Sequence, residues 1–139
     1  MKTLIIFGVI LLILATSCGS NKSTSTPVAQ KVELKIEAED STEYELIVFD
    51  PGFETYLLTV PYSKHFYSNE YYRNWNILYS AEWNIRYHNP LTYGNFYESE
   101  IPYNATIDYG LDFNYRLYHF FRYVEKEYNI MLLQRGNRL

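Results

Sequence analysis

All sixteen tyrosines, both tryptophans and every phenylalanine except Phe7 lie between Tyr44 and Tyr128. No other feature constrains the chain as strongly. Each ring buries about 150–250 Å² when packed, so this concentration dictates a core built of aromatic side chains and marks where the folded part begins and ends. The chain has a single cysteine, so no internal disulfide can supplement that core. Tyrosine also joins an apolar body to a polar tip, which suits sugar-binding platforms and protein interfaces. The larger share of the rings is expected inside and a minority outside.

The amino-terminal residues address the compartment. Lys2 gives a positive start, and Leu4 to Ala15 is an unbroken run of apolar and small residues. The run is too short to cross a hydrocarbon core as a helix and matches the apolar region of a secretory signal. Ala15-Thr16-Ser17-Cys18 follows and resembles the lipobox of bacterial lipoproteins, departing from it in having Ala15 where leucine is usual, with Leu14 one place earlier. The resemblance implies a signal peptide over residues 1–17, cleavage before Cys18, acylation of its thiol with palmitate-type chains, and attachment to a membrane. The alternative is an ordinary cleaved signal with an incidental cysteine. Lipidation removes the difficulty of a free thiol in an exported chain. The expected location is the periplasmic face of the outer or inner membrane, since Gly19-Ser20-Asn21-Lys22 carries no acidic cluster that would direct the chain outward.

Loss of the signal removes only Lys2 among the charged residues and takes the net charge from −4 to −5. Such a balance gives no electrostatic basis for nucleic-acid binding. The charge is also uneven, acidic over residues 31–54 and basic over 110–139, which fits complementarity within the molecule or a partner-facing patch, the former preferred.

Residues 18–43 read as a flexible tether, Ser/Thr-rich at first. Val32, Leu34, Ile36 and Ala38 then alternate with Lys and Glu, which suits an edge strand or a charged linker. The linker is preferred because Glu39-Asp40-Ser41-Thr42 follows at once. Asp40-Ser41-Thr42 also resembles a short O-glycosylation signal of some Bacteroidota. The globular domain is placed at 44–133, with a frayed tail at 134–139.

The expected fold is a small α+β domain of three helices and a two-stranded sheet. Leu46 to Phe49, within a strand over 44–49, is apolar on both alternating faces. Asp50-Pro51 is a helix-start signal for a helix over 51–59. Ser68 opens a helix over 69–88 that Asn89-Pro90 stops. Its aromatic arc centres on Trp75, leaving Asn74, Ser80, Ala81, Asn84 and His88 opposite. Residues 89–109 form a long loop pinned by its own aromatics. A helix over 112–128 carries an apolar stripe of Phe113, Leu117, Phe120, Phe121, Val124 and Tyr128. Residues 129–133 are expected to pair with 44–49 as the second strand.

Four segments together, Asp50-Pro51-Gly52-Phe53, Glu82-Trp83-Asn84-Ile85-Arg86, Ile107-Asp108-Tyr109-Gly110-Leu111 and Asn114-Tyr115-Arg116-Leu117-Tyr118, resemble small Bacteroidota lipoproteins of domain-of-unknown-function family 6146. The similarity covers about residues 43–133 and the signal. It implies an exported, membrane-attached protein and carries over no active site.

Two constellations are candidates for binding. Glu82 and Arg86 stand at i, i+4 with the acid first, among Trp75, Tyr79 and Trp83. They read either as a buried pair tying the helix to the loop or as a recognition pocket floored by aromatics. On the last helix Arg116, His119, Arg122 and Lys126 share a face with Tyr115 and Tyr123, which is either simply solvated or able to meet acidic polymers or lipid headgroups. His65, His88 and His119 lack metal-ligand spacing, so neither a metal nor a cofactor is expected. The favoured role is non-enzymatic: a scaffolding or binding domain whose partner is an envelope protein. Glycan or peptidoglycan binding through exposed Trp and Tyr rings is the first alternative. A small hydrolase is the second, with Glu98 and Glu100 as its best carboxylate pair.

Overall fold

The Asp50-Pro51-Gly52-Phe53 segment starts a helix as its composition predicts. In the computed structural model Asp50 is extended and its Oδ1 accepts from the Gly52 N–H at 2.8 Å, satisfying one amide at the helix start, while Pro51 takes the first helical position. The structure describes residues 32–37 and 43–134. The signal peptide with Cys18, the Ser/Thr-rich stretch of the tether, Asp40-Ser41-Thr42 and most of the tail lie outside the described residues.

Along the chain come strand β1 (Val32–Glu37), strand β2 (Glu43–Val48), helix α1 (Pro51–Thr59), helix α2 (Asn69–Tyr87), a four-residue helix α3 (Pro90–Tyr93) and helix α4 (Gly110–Glu127). The result is one small, mostly helical domain. Its three long helices stand within two residues of the boundaries read from the sequence, and α3 forms inside the segment taken to be loop.

The sheet departs from expectation. β2 pairs antiparallel with β1, in a register that sets Leu34 opposite Leu46 and Lys35 opposite Glu45. Residues 32–37 are therefore strand rather than tether. Phe49 falls outside β2 and is exposed, so the strand is not covered on both faces, although Leu46 is buried.

Residues 129–133 form no strand, and side chains explain why. Arg86 Nη2 donates to the Met131 and Leu132 carbonyls at 2.8 and 3.3 Å. Glu125 Oε1 accepts from the Leu132 and Leu133 N–H groups at 3.3 Å each. These backbone groups, which a ladder would use, are met by charged side chains of α2 and α4. β1 and β2 are close in sequence, so their pairing also closes a far shorter loop.

The core lies between α2, α4, α1 and β2. From α4 it takes the predicted stripe, with Leu117, Phe120, Phe121 and Val124 fully buried; Phe53 from α1 is equally enclosed. On α2 the buried positions are Tyr72, Asn76, Tyr79, Ser80 and Trp83. That face is turned about a quarter of a revolution from the arc centred on Trp75. Leu78 and Ile85, both apolar, are half exposed, while Asn76 and Ser80 are inside. Hydrogen bonding accounts for part of the inversion: Asn76 Nδ2 donates to the Asn114 carbonyl at 2.9 Å. Asn84, expected on the outer face, exchanges two 2.9 Å bonds with the Ile101 backbone, as a neighbouring strand would.

Candidate functional site

Arg86 is the centre of a clasp. Its Nε donates to Glu82 Oε1 at 2.7 Å, its Nη1 to the Tyr97 hydroxyl at 2.9 Å, and its Nη2 to the two carbonyls of the carboxy-terminal segment. The guanidinium also lies 5.1 Å from the Tyr93 ring centroid. The Arg86 side chain is 13% exposed and that of Glu82 25%. Burial pulls the Arg86 pKa down, but the bonds to Tyr97 and Glu82 outweigh it and hold the pKa above the ordinary arginine value. The neighbouring candidates are equally committed. Tyr79 and Trp83 are fully buried; Trp83 Nε1 donates to the Ser99 carbonyl at 2.8 Å and the Tyr79 hydroxyl to Glu125 at 3.0 Å. Trp75 packs part-buried against the core. The geometry here is that of a structural tie between α2, the 94–109 loop and the carboxy-terminal segment.

The basic face of α4 is divided. Arg116 is directed to Glu54 and over the Phe53 ring, joining the acidic stretch of the chain to the basic one. Tyr123 is buried against α1, with its hydroxyl beside Gly52 and Asp50. Burial first, and the bond to Asp50 second, push its pKa well up. His119, Arg122 and Lys126 instead converge on a pocket of about 310 Å³.

That pocket lies between the end of α1 (Tyr56, Thr59), the turn after it, the first turns of α2 and one face of α4. Tyr72 and Tyr118 are both buried and form its floor. Burial raises the pKa of Tyr56 and Tyr72, so these rings present neutral hydroxyls. Beside the pocket runs an exposed aromatic shelf. Tyr62 stacks on Phe66 with centroids 4.2 Å apart, Phe66 meets Tyr67 edge-on at 4.7 Å, and Tyr67 stacks on Tyr71 at 4.0 Å. Tyr62 and Phe66 are 52% and 54% exposed.

Sequence reasoning passed over this shelf. The available signal was three aromatics within residues 61–68, a segment after Pro61 with neither helical nor strand periodicity. Rings without a periodic face have no element to carry them into the core.

Among the described residues no cluster of His, Cys, Asp or Glu has the arrangement to hold a metal ion, and no helix is long and apolar enough to cross a membrane. Three grooves on the described surface are lined by Glu125, by Glu98, or by no carboxylate at all. None brings two carboxylates together, and Glu100 is directed to His88 at 3.6 Å.

A family model described as a family of unknown function (DUF6146) matches residues 4–137. No curated protein and no solved structure matches the chain.

Proposed function

The chain belongs to the DUF6146 family of unknown function, and from that premise we propose that it is a lipid-anchored binding module of a bacterial envelope, of the Bacteroidota type. In this reading Cys18 carries the anchor, residues up to β1 give reach, and the domain works by contact rather than catalysis. The observation that carries the binding role is the stacked shelf of Tyr62, Phe66 and Tyr67, large rings left outside by a chain that packs most of its others in or against the core. An exposed patch of this kind marks an interaction surface.

A second reading, docking of an envelope protein, is favoured by the outer edge of α2, where Leu78 and Ile85 are 53% and 52% exposed two turns apart.

Two measurements test the proposal. Cys18→Ser is expected to release the protein from the membrane fraction and to abolish labelling with palmitate; unchanged fractionation would remove the anchor. Crosslinking in cells, read by mass spectrometry, is expected to lose its main neighbour in a Tyr62→Ser/Phe66→Ser variant. If the same neighbour persists, the shelf is not the contact surface; if it is lost instead when Leu78 and Ile85 become serine, the protein-docking reading takes over.

A further inference from the structure

The pocket beside the shelf has a chemistry of its own. At about 310 Å³ it stands at the small end of the roughly 300–1,000 Å³ typical of small-molecule sites, which suits one ring-sized unit with its substituents. Among the described residues its lining is tyrosine with Thr59, Val60, Pro61, His119, Arg122 and Lys126, and no acidic residue.

The carboxylate nearest in sequence is turned away. Glu125 accepts from Tyr79, Arg122 and the N–H groups of Leu132 and Leu133, so its charge is divided between Arg122 and the carboxy-terminal segment. Glu127 lies about 100° round the helix from Lys126. Arg122 is paired with Glu125 and hydrogen-bonded to Tyr79; of the five donors of a guanidinium the remainder are left for a ligand, so Lys126 is the main cation of the pocket. Among the described residues Lys126 has no carboxylate partner; its ammonium lies 5.5 Å from the Tyr56 ring centroid.

The pocket is also built before any ligand arrives. Tyr72 is fixed edge-on to Tyr115 and tilted against Tyr118, with centroids 5.5 and 5.4 Å apart. Flat apolar faces edged with hydroxyls match the face of a sugar ring, whose C–H groups lie on the aromatics while its hydroxyls meet the tyrosine tips. The cations add a demand for negative charge. The shelf of Tyr62 and Phe66 continues the aromatic surface outward, where the next units of a chain would lie.

We propose that this pocket binds a carboxylate-bearing sugar unit of an acidic polysaccharide, the ring against the accessible Tyr56, Tyr62 and Tyr67 and the carboxylate at Lys126, with Arg122 beside it. The proposal rests on the binding-module reading and names its ligand class.

The test is calorimetric titration of the full chain in mild detergent with a galacturonic acid trimer and with the galactose trimer of the same linkage. The acidic trimer is expected to bind about tenfold more tightly than the neutral one. Lys126→Gln, an exposed change near the helix end, should erase most of that preference. Tyr62→Ala should weaken both trimers alike. Equal affinity for the two trimers, undiminished preference in Lys126→Gln, or no saturable binding of either up to about 10 mM would each overturn the proposal. If the trimers fail while the cellular neighbour is still lost in the Tyr62→Ser/Phe66→Ser variant, the module stands and only the ligand class falls.

Discussion

Replacing Arg86 by alanine is expected to be the most damaging single polar change in the domain, and the structure sets its size. The side chain makes four hydrogen bonds, to Glu82, Tyr97 and the carbonyls of Met131 and Leu132. Removing it strands a three-quarters buried carboxylate at Glu82 and leaves two carbonyls to find water. Loss of one member of a buried pair costs about 3–5 kcal/mol; the partial exposure of Glu82 favours the lower end, about 3 kcal/mol. For a domain of this size that is a fall in melting midpoint of roughly 12–24 °C, measured by far-ultraviolet circular dichroism of the full chain in mild detergent. Arg86→Lys retains a charge near Glu82 but not the planar fork, so it should recover only part of the loss. Glu82→Gln leaves Arg86 its other three bonds and a neutral acceptor in place of the carboxylate, and should cost about 1.5–3 kcal/mol. A melting midpoint of Arg86→Ala within about 4 °C of the parent would show that the clasp does not hold the fold together and would return Arg86 to the pool of recognition residues.

Two further outcomes follow from close packing and from buried hydroxyls. A methyl group at Gly52 would land on the Tyr123 hydroxyl and 3.1 Å from Asp50 Oδ1, so Gly52→Ala should cost about 1–3 kcal/mol; adding Tyr123→Phe should restore much of it, and a lack of rescue in urea denaturation would refute the assigned clash. Burial pushes the Tyr103 hydroxyl up to about 12, against an ordinary value near 10. Below pH 10 the folded and unfolded forms are both neutral there and the contribution is fully present. Between pH 10 and about 12 only the unfolded form ionises, so stability falls as pH rises. Tyr103→Phe should flatten that fall in alkaline denaturation curves, and an unchanged slope would count against the burial argument.

Legibility differed with the kind of force. The boundaries of α1 and α4, and the stripe from Phe113 to Val124, were readable because capping and 3.6-residue periodicity are local. The expectation that most aromatics pack in or against the core was readable from composition. The buried face of α2 was not. Its apolar arc points at Trp75, yet Asn76 and Ser80 are inside and Leu78 and Ile85 half outside, because Asn114 offers Asn76 a partner that no one-dimensional pattern records. The second strand was misplaced for a related reason. Residues 130–133 look like a strand in isolation, and only the arrival of Arg86 and Glu125 from two helices satisfies their backbone without one.

By itself the sequence determined where the three long helices lie, that the core is aromatic, and that Arg86 lies within reach of Glu82, since each follows from neighbours at most a few residues apart. The tertiary structure alone decided which rings stay outside, how the basic face of α4 is divided between Glu54 and the tyrosine-lined pocket, and which segment completes the hairpin. Those outcomes depend on groups far apart in the chain competing for the same partners, a competition resolved only when the helices pack.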